Sequence, residues 1–494
     1  MKRRYNHAAL LLFFACVFLP SFSNAQSWQW LNRAGGTAGG ENGRAACTDA
    51  AGNAYFCGQF NGAGVAFGPF PLSTAGSNDV FITKFNAAGV CQWAVRAGGT
   101  TSDIANGIAT DGASVYVTGG IGSTPGGATF GPFTLFSNGV ASDGWIAKLD
   151  AGTGAWTWAV NFSNTTTGGD IGHSVAIDGS GNPYICGNFN GTINFGSASY
   201  NSGTSFDFFV AKINPANGAF VWGAVGGSAG GDNVAGSSLC YVPGLNEIVA
   251  ASSFAGNSTY YTTTPASGPF NFTNSGGNDI VLLEMNANTG AILSALQHSG
   301  GGGEDCLGMC YDPSTTNVMM TGYFASASIT FGTTTLTNGG LEDIFMACYN
   351  PTTNTFPWAN RAGGASNERG CAVSSAGSGV VAFTGMYTSS PTVFGSTSLN
   401  SAGAADVFVT AIVPSSGAYV WAIAAQSNDP IDDIGRGIAY TTNGSGNVYV
   451  TGQFANILTA GASSVSSAGA GDVFFAKLLA PPPLVATQSQ VNLT

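Results

Sequence analysis

Seven copies of a roughly 64-residue unit, each reading as four short strands, predict an all-β fold. An additional tryptophan-bearing strand before the first copy points to the same architecture. It is a seven-bladed β-propeller of four-stranded blades, its ring closed by the N-terminal Trp strand completing the last blade. The repeat is clearest in apolar strands that begin with Asp. These are DVFITKF from Asp79, DGWIAKL from Asp143, DFFVAKI from Asp207, DIVLLEM from Asp279, DIFMACY from Asp343, DVFVTAI from Asp406 and DVFFAKL from Asp472.

The four strands of a unit are labelled a to d in chain order. Strand a is exemplified by GIATD at 107–111. Strand b ends in Gly-x-aromatic, as in AYFCGQF to Phe60, PYICGNF to Phe189 and VYVTGQF to Phe454. Strand c is the Asp strand. Strand d carries a tryptophan at Trp93, Trp158, Trp222, Trp358 and Trp421, with Ser294 in its place after the Asp279 strand. Gly, Asn and Ser at the boundaries supply turn chemistry. The last copy ends at strand c, and the chain opens with Ser27-Trp28-Gln29-Trp30, a strand d without a unit of its own. The two fragments complement each other, and closing a ring removes exposed strand edges.

Only 8 % of residues are charged, but 44 % are hydrophobic and 12 % aromatic, too apolar for a disordered chain. The formal net charge of −12 argues against a nucleic-acid or anionic-membrane binder. Lys2, Arg3 and Arg4, the apolar run Ala8 to Leu19 and Ser23-Asn24-Ala25 read as a secretory signal peptide over 1–25. The propeller is expected over 26–480 and a Pro-rich linker or tail over 481–494. The mature chain is expected to be secreted or cell-surface, monomeric and without a membrane span.

The combined pattern, Trp…Gly-Gly…Asp-x-Ala…Asp-x-x-Gly-Asn-x-Tyr-x-x-Gly-x-Phe…Asp-x-Phe-x-x-Lys, resembles the SBBP β-propeller repeat of exported bacterial proteins and covers about residues 27–479. The resemblance implies a propeller and an exported setting, and it implies no particular activity. Unit 4 departs from the pattern, with Pro243 for the Asp of strand a and Ser252 for the Gly of strand b.

A residue type that recurs at one phase in several units is most simply an architectural requirement. By that filter all ten basic residues of the mature chain are structural: Lys84, Lys148, Lys212 and Lys477 at the end of strand c, Arg33, Arg96 and Arg361 after the Trp, and Arg44, Arg369 and Arg436 near the start of strand a. Asp49, Asp111, Asp178 and Asp312 at the end of strand a are expected to cap the a–b turn. Of the nine mature cysteines, Cys57 and Cys186 share a phase with Thr, Cys47, Cys240 and Cys310 with Ala, and Cys348 with Lys, so they read as small buried thiols rather than a disulfide framework. His173 and His298 sit in no metal or catalytic spacing.

Three features remain as candidates. Glu41, Asp103, Asp170, Asp232, Asp305, Glu368 and Asp433 would form an acidic ring at one face. It would either pair with nearby arginines and loop N–H groups or bind a divalent cation. The lengthened b–c loop of unit 4 (255–277) offers Tyr260, Tyr261, Phe270 and Phe272 for sugar stacking or protein contact. Asp429, Asp432 and Asp433 form an acidic cluster in unit 7. No catalytic motif is present and no cofactor is implied. The expected function is a non-catalytic binding or adhesion module for a glycan or protein. The alternatives are a glycoside hydrolase or lyase, which needs paired carboxylates, and a structural envelope or matrix component.

Overall fold

The computed structural model describes residues 26–37, 39–122, 126–137, 142–162, 169–228, 237–263 and 266–479. The expected signal peptide over 1–25 and the Pro-rich tail expected over 481–494 lie outside the described residues. Each unit forms an antiparallel meander whose order in space is its order in the chain, and the meanders build an all-β propeller. In unit 1 these strands are Asn42–Thr48, Ala54–Phe60, Asp79–Phe85 and Cys91–Gly98. The N-terminal strand Ser27–Ala34 pairs with Asp472–Leu479, from Ser27↔Leu479 to Ala34↔Val473, and so supplies strand d of the last sheet.

Five sheets have four strands, but two have six, which corrects the expectation of uniformly four-stranded blades. The extra pair is a hairpin between strands b and c that reaches back to the preceding unit. Ala128–Phe130 and Phe133–Leu135 of unit 2 extend the sheet of unit 1 through Thr129↔Gly98 and Phe130↔Ala97. Ser258–Thr263 and Ala266–Phe272 of unit 4 extend that of unit 3 through Val225↔Tyr261 and its neighbours. Single bridges, Gly363↔Val393 and Gln426↔Thr459, make the same contact in units 6 and 7. Most of these hairpins turn at a Phe-Gly step, where Gly68, Gly131, Gly196, Gly332 and Gly395 have φ between 58° and 61°. That is the left-handed backbone a tight hairpin requires and only glycine adopts freely.

The hydrophobic core lies between units, in one cluster per neighbouring pair. Phe56, Phe81 and Phe85 of unit 1, for example, pack on Tyr449, Val473 and Phe475 of unit 7. The recurring Trp and Lys lock these interfaces from the c–d turn side. Trp93 Nε1 and Lys84 Nζ both donate to the Ala151 carbonyl of the next unit, at 3.3 and 2.9 Å. Trp158 and Lys148 share Pro215 in the same way, and Trp222 and Lys212 share Ala287. Asp49 and Asp178 accept the turn N–H groups of Asn53 and Asn182, as expected of strand-a caps. The nine described cysteines are free thiols.

Candidate functional site

The site begins with the glycine of the Gly-x-aromatic motif. A Cβ on Gly58, Gly119, Gly187, Gly322, Gly385 or Gly452 would lie 1.8 to 2.0 Å from a strand-a carbonyl, those of Asn42, Ile104, Ile171, Asp305, Arg369 and Ile434 respectively. The missing side chain lets strand a press in, and two residues further on the register slips by one. The slip is a β-bulge, which turns the extra residue out of the ladder. The bulged residues are Arg44, Asn106, His173, Leu307, Cys371 and Arg436. Unit 4 carries Ser252 instead of glycine, and its described pairing, Ser238↔Ala251 to Val242↔Glu247, begins just past the position at which the other units slip.

These six residues and Ser237 of unit 4 meet at the ring axis. They alone line a space of about 160 Å³, and they also contribute to the wall of a channel cavity of about 290 Å³. Below the collar the channel is lined by Ile108, Val175, Leu239, Met309, Val373 and Ile438. Among the described residues no Asp or Glu lies in the wall. Behind the collar, strand b holds some of the side chains in place. Arg44 Nη2 donates to Gln59 Oε1 at 3.2 Å, and His173 Nε2 lies 3.0 Å from Asn188 Oδ1. Asn106 donates across the interface to the Gly172 carbonyl at 3.0 Å. Burial, with the Arg436 charge beside it, brings the Arg44 guanidinium down to about 10. Burial and the Arg44 charge bring His173 down to about 4 against its contact with Asn188. Burial raises the Cys371 thiol despite Arg436 and Arg369. At neutral pH the collar therefore presents guanidinium charge with a neutral imidazole and a protonated thiol.

No family model matches the sequence, and no curated protein does. Solved structures share the propeller fold at low identity. A quinohemoprotein alcohol dehydrogenase from Pseudomonas putida HK5 is 12 % identical, with a TM-score of 0.38, over 93 % of this chain and 77 % of that one. BamB from Moraxella catarrhalis is 11 % identical, with a TM-score of 0.35, over 91 % and 99 %. A PL25 ulvan lyase bound to -[GlcA(1-4)Rha3S]- is 10 % identical, with a TM-score of 0.40, over 86 % and 92 %. These likenesses concern the fold alone. Two of the three are enzymes, which corrects the expectation of a chain without enzymatic activity: this fold carries catalysts, so a missing sequence motif does not exclude one.

The predicted acidic ring is not an open ring. Among its described members each carboxylate is buried and held locally. Glu41 accepts from Gly36 N at 3.2 Å, and Asp103 from Gly99 N and Gly122 N at 2.6 and 2.9 Å. Asp170 accepts from Asn190 N, Asp433 from Ala455 N, and Glu368 from Gly364 N and Ser389 N. In unit 5 the residue making these bonds is Glu304, which accepts from Gly300 N and Ser326 Oγ, so the phase assignment to Asp305 is corrected by one residue. Asp305 instead takes the Tyr323 hydroxyl. Asp232 lies outside the described residues. The arginines after the Trp pair with strand-c carboxylates instead: Arg33 with Asp472, Arg96 with Asp79 and Arg361 with Asp343. Among the described residues no group of three or more His, Cys, Asp or Glu could hold a metal ion.

The aromatic loop of unit 4 is a structural hairpin. Tyr260 is fully buried between units 3 and 4, 6.0 Å from Phe272 and 6.5 Å from Phe254. Tyr261, on the opposite face of its strand, packs against Tyr200 with tilted rings 5.9 Å apart, and Phe270 packs beside the core with Phe272. Alternation along a strand separates the two tyrosines, so they do not form one platform. The unit 7 acids also serve their loop. Asp429 accepts from Ile431 N, and Asp432 from Ala405 N. Asp429 borders a cavity of about 490 Å³, and Asp432 shares one of about 260 Å³ with Glu41.

The sequence filter missed the collar because it assigned Arg44, Arg369 and Arg436 to one phase. Arg369 lies two residues before the bulge and pairs with Glu342, whereas Arg44 and Arg436 are themselves the bulged residues. The recurring Gly of strand b was the available signal.

Proposed function

We propose that the chain is an exported, secreted or surface-held binding propeller of seven blades, one for each copy of the repeat, that receives its ligand in the central channel. The observation carrying this reading is the collar. Its backbone geometry repeats from unit to unit, but its side chains do not: Arg, Asn, His, Leu, Cys and Arg occupy one structural position. Packing demands repeat a residue type, as the Trp, Lys and Gly positions do, and variation at an invariant inward position suits recognition of an asymmetric ligand. The leader sequence and the resemblance to the SBBP repeat support the exported setting. A glycan remains the first ligand class to test.

The test is retention of the purified chain on a glycan array and on immobilised polysaccharides. Leu307→Trp narrows the channel from unit 5 while leaving Arg44 and Arg436 in place, and Leu307→Ala serves as its control. Wild type and Leu307→Ala are expected to be retained, and Leu307→Trp is not, with all three melting cooperatively. Equal retention of Leu307→Trp would remove the channel from the account.

A further inference from the structure

The structure accounts for eight of the ten basic residues of the mature chain. Lys84, Lys148, Lys212 and Lys477 donate to carbonyls of the next unit. Arg33, Arg96, Arg361 and Arg369 form ion pairs. The remaining two are Arg44 and Arg436, the bulged residues of units 1 and 7. Ring closure makes these units neighbours: their strands a approach so closely that a Cβ on Gly437 would lie 2.7 Å from the Ala45 Cα.

Arg44 and Arg436 thus stand on adjoining strands in a channel wall whose described lining has no carboxylate, close enough for the Arg436 charge to act on Arg44. The Nε of each is buried and has no partner among the described residues, and Arg44 has one neutral contact, Gln59. Adjacent like charges in a channel wall repel, and the other eight basic residues of the chain each have a carbonyl or carboxylate partner. The rest of the chain is acidic, with a net charge of −12. A planar donor fork with free N–H groups is suited to an oxyanion, which can accept from both guanidiniums at once. The space enclosed by the collar residues, about 160 Å³, admits such a group on a slender ligand and excludes a folded domain.

We propose that Arg44 and Arg436 form a receptor for an oxyanion, a carboxylate, sulfate or phosphate group carried by a ligand that enters the channel. This rests on the reading of the channel as the binding site. Asn106 and His173, next around the collar, are placed to contact the uncharged part of that ligand.

The experiment is isothermal titration of the purified chain with inorganic phosphate, with trigalacturonate and with neutral maltotriose, each at matched ionic strength and with melting temperature recorded in parallel. Binding of phosphate or trigalacturonate, weakened by salt, is expected, and maltotriose should not bind. Trigalacturonate binding assigns an acidic saccharide, and phosphate binding alone assigns a free oxyanion. Arg44→Gln and Arg436→Gln should each weaken binding about tenfold or more. The double variant should lose both binding and the ligand-induced rise in melting temperature. Without ligand, each variant should melt at or above wild type, because one of two repelling charges is gone. Failure of both anions to bind, or unchanged binding in the double variant, overturns the proposal. If Leu307→Trp abolishes polysaccharide retention while the arginine variants bind as wild type, only the oxyanion assignment falls.

Discussion

Six glycines in strand b look interchangeable in the sequence, and each performs the same task. Each makes room for a strand-a carbonyl at a distance no Cβ tolerates, and that close approach accompanies the bulge that forms the collar. Gly385→Ala should therefore destabilise the protein by about 2–4 kcal/mol in urea denaturation. Unit 6 bulges at Cys371, so this substitution reports on backbone fit without touching either channel arginine. Ser252→Gly is the contrasting case, because unit 4 already folds with a Cβ at this position. It should cost no more than about 1 kcal/mol, the entropy of an added glycine. The recurrence of the glycine was legible in the sequence. Its purpose was not, because the register of two strands is a relation between residues and not a property of either.

At the scale of the element, the outer hairpins are the feature composition concealed. Strings such as VAFGPFPL, ATFGPFTL, ITFGTTTL and TVFGSTSL recur between strands b and c, and the Phe-Gly step marks their turns. Read as loops, they made the tyrosines of unit 4 look exposed. As a hairpin the same segment alternates, so Tyr260 enters the core and Tyr261 lies against Tyr200. Tyr260→Ala should cost about 3–5 kcal/mol, as for loss of other buried aromatic side chains. Tyr261→Ala, partly exposed, should cost clearly less, and neither should alter ligand retention where the variant remains folded. Calorimetric melting of the two variants checks the difference, and equal losses would show that the strand does not alternate as described.

For the whole molecule, the ring collects buried carboxylates at its interfaces. Asp472 lies near Glu41, Asp79 near Asp103, and Asp406 and Asp429 near Asp433, so that each strand-c Asp stands beside an acid that leads into the next unit. Burial, with these neighbours adding to it, pushes Glu41 and Asp433 up to about 7 and Asp103 to about 6, and burial alone takes Asp207 to about 7. In the unfolded chain these groups lose their protons near 4.5 or 3.8. As pH rises between those values and the folded ones, the folded state alone retains protons, and stability is lost. His173 and His298, lowered by burial to about 4, act in the opposite sense between 4 and 6.5, where the unfolded chain is protonated first. Four acids oppose two histidines below 6.5 and stand alone above it. The melting temperature should therefore fall from about pH 5 to about pH 8. A melting temperature that rises over that range would mean the interface carboxylates are solvated.

Periodicity alone determined that this chain is a closed β ring. Near-regular spacing of Asp, Gly and Trp calls for similar units, and the spare N-terminal strand pairs with the Asp472 strand as its position in the repeat requires. The sequence also marked most of the polar scaffold, because a turn cap such as Asp49 bonds within a few residues of itself. The tertiary structure decided what faces the axis. Arg33 and Arg44 are both arginines at repeating phases, yet one meets Asp472 and the other meets the channel. Their difference arises from a register slip between strands and from contact between the first and last units, and neither is a local property of the chain.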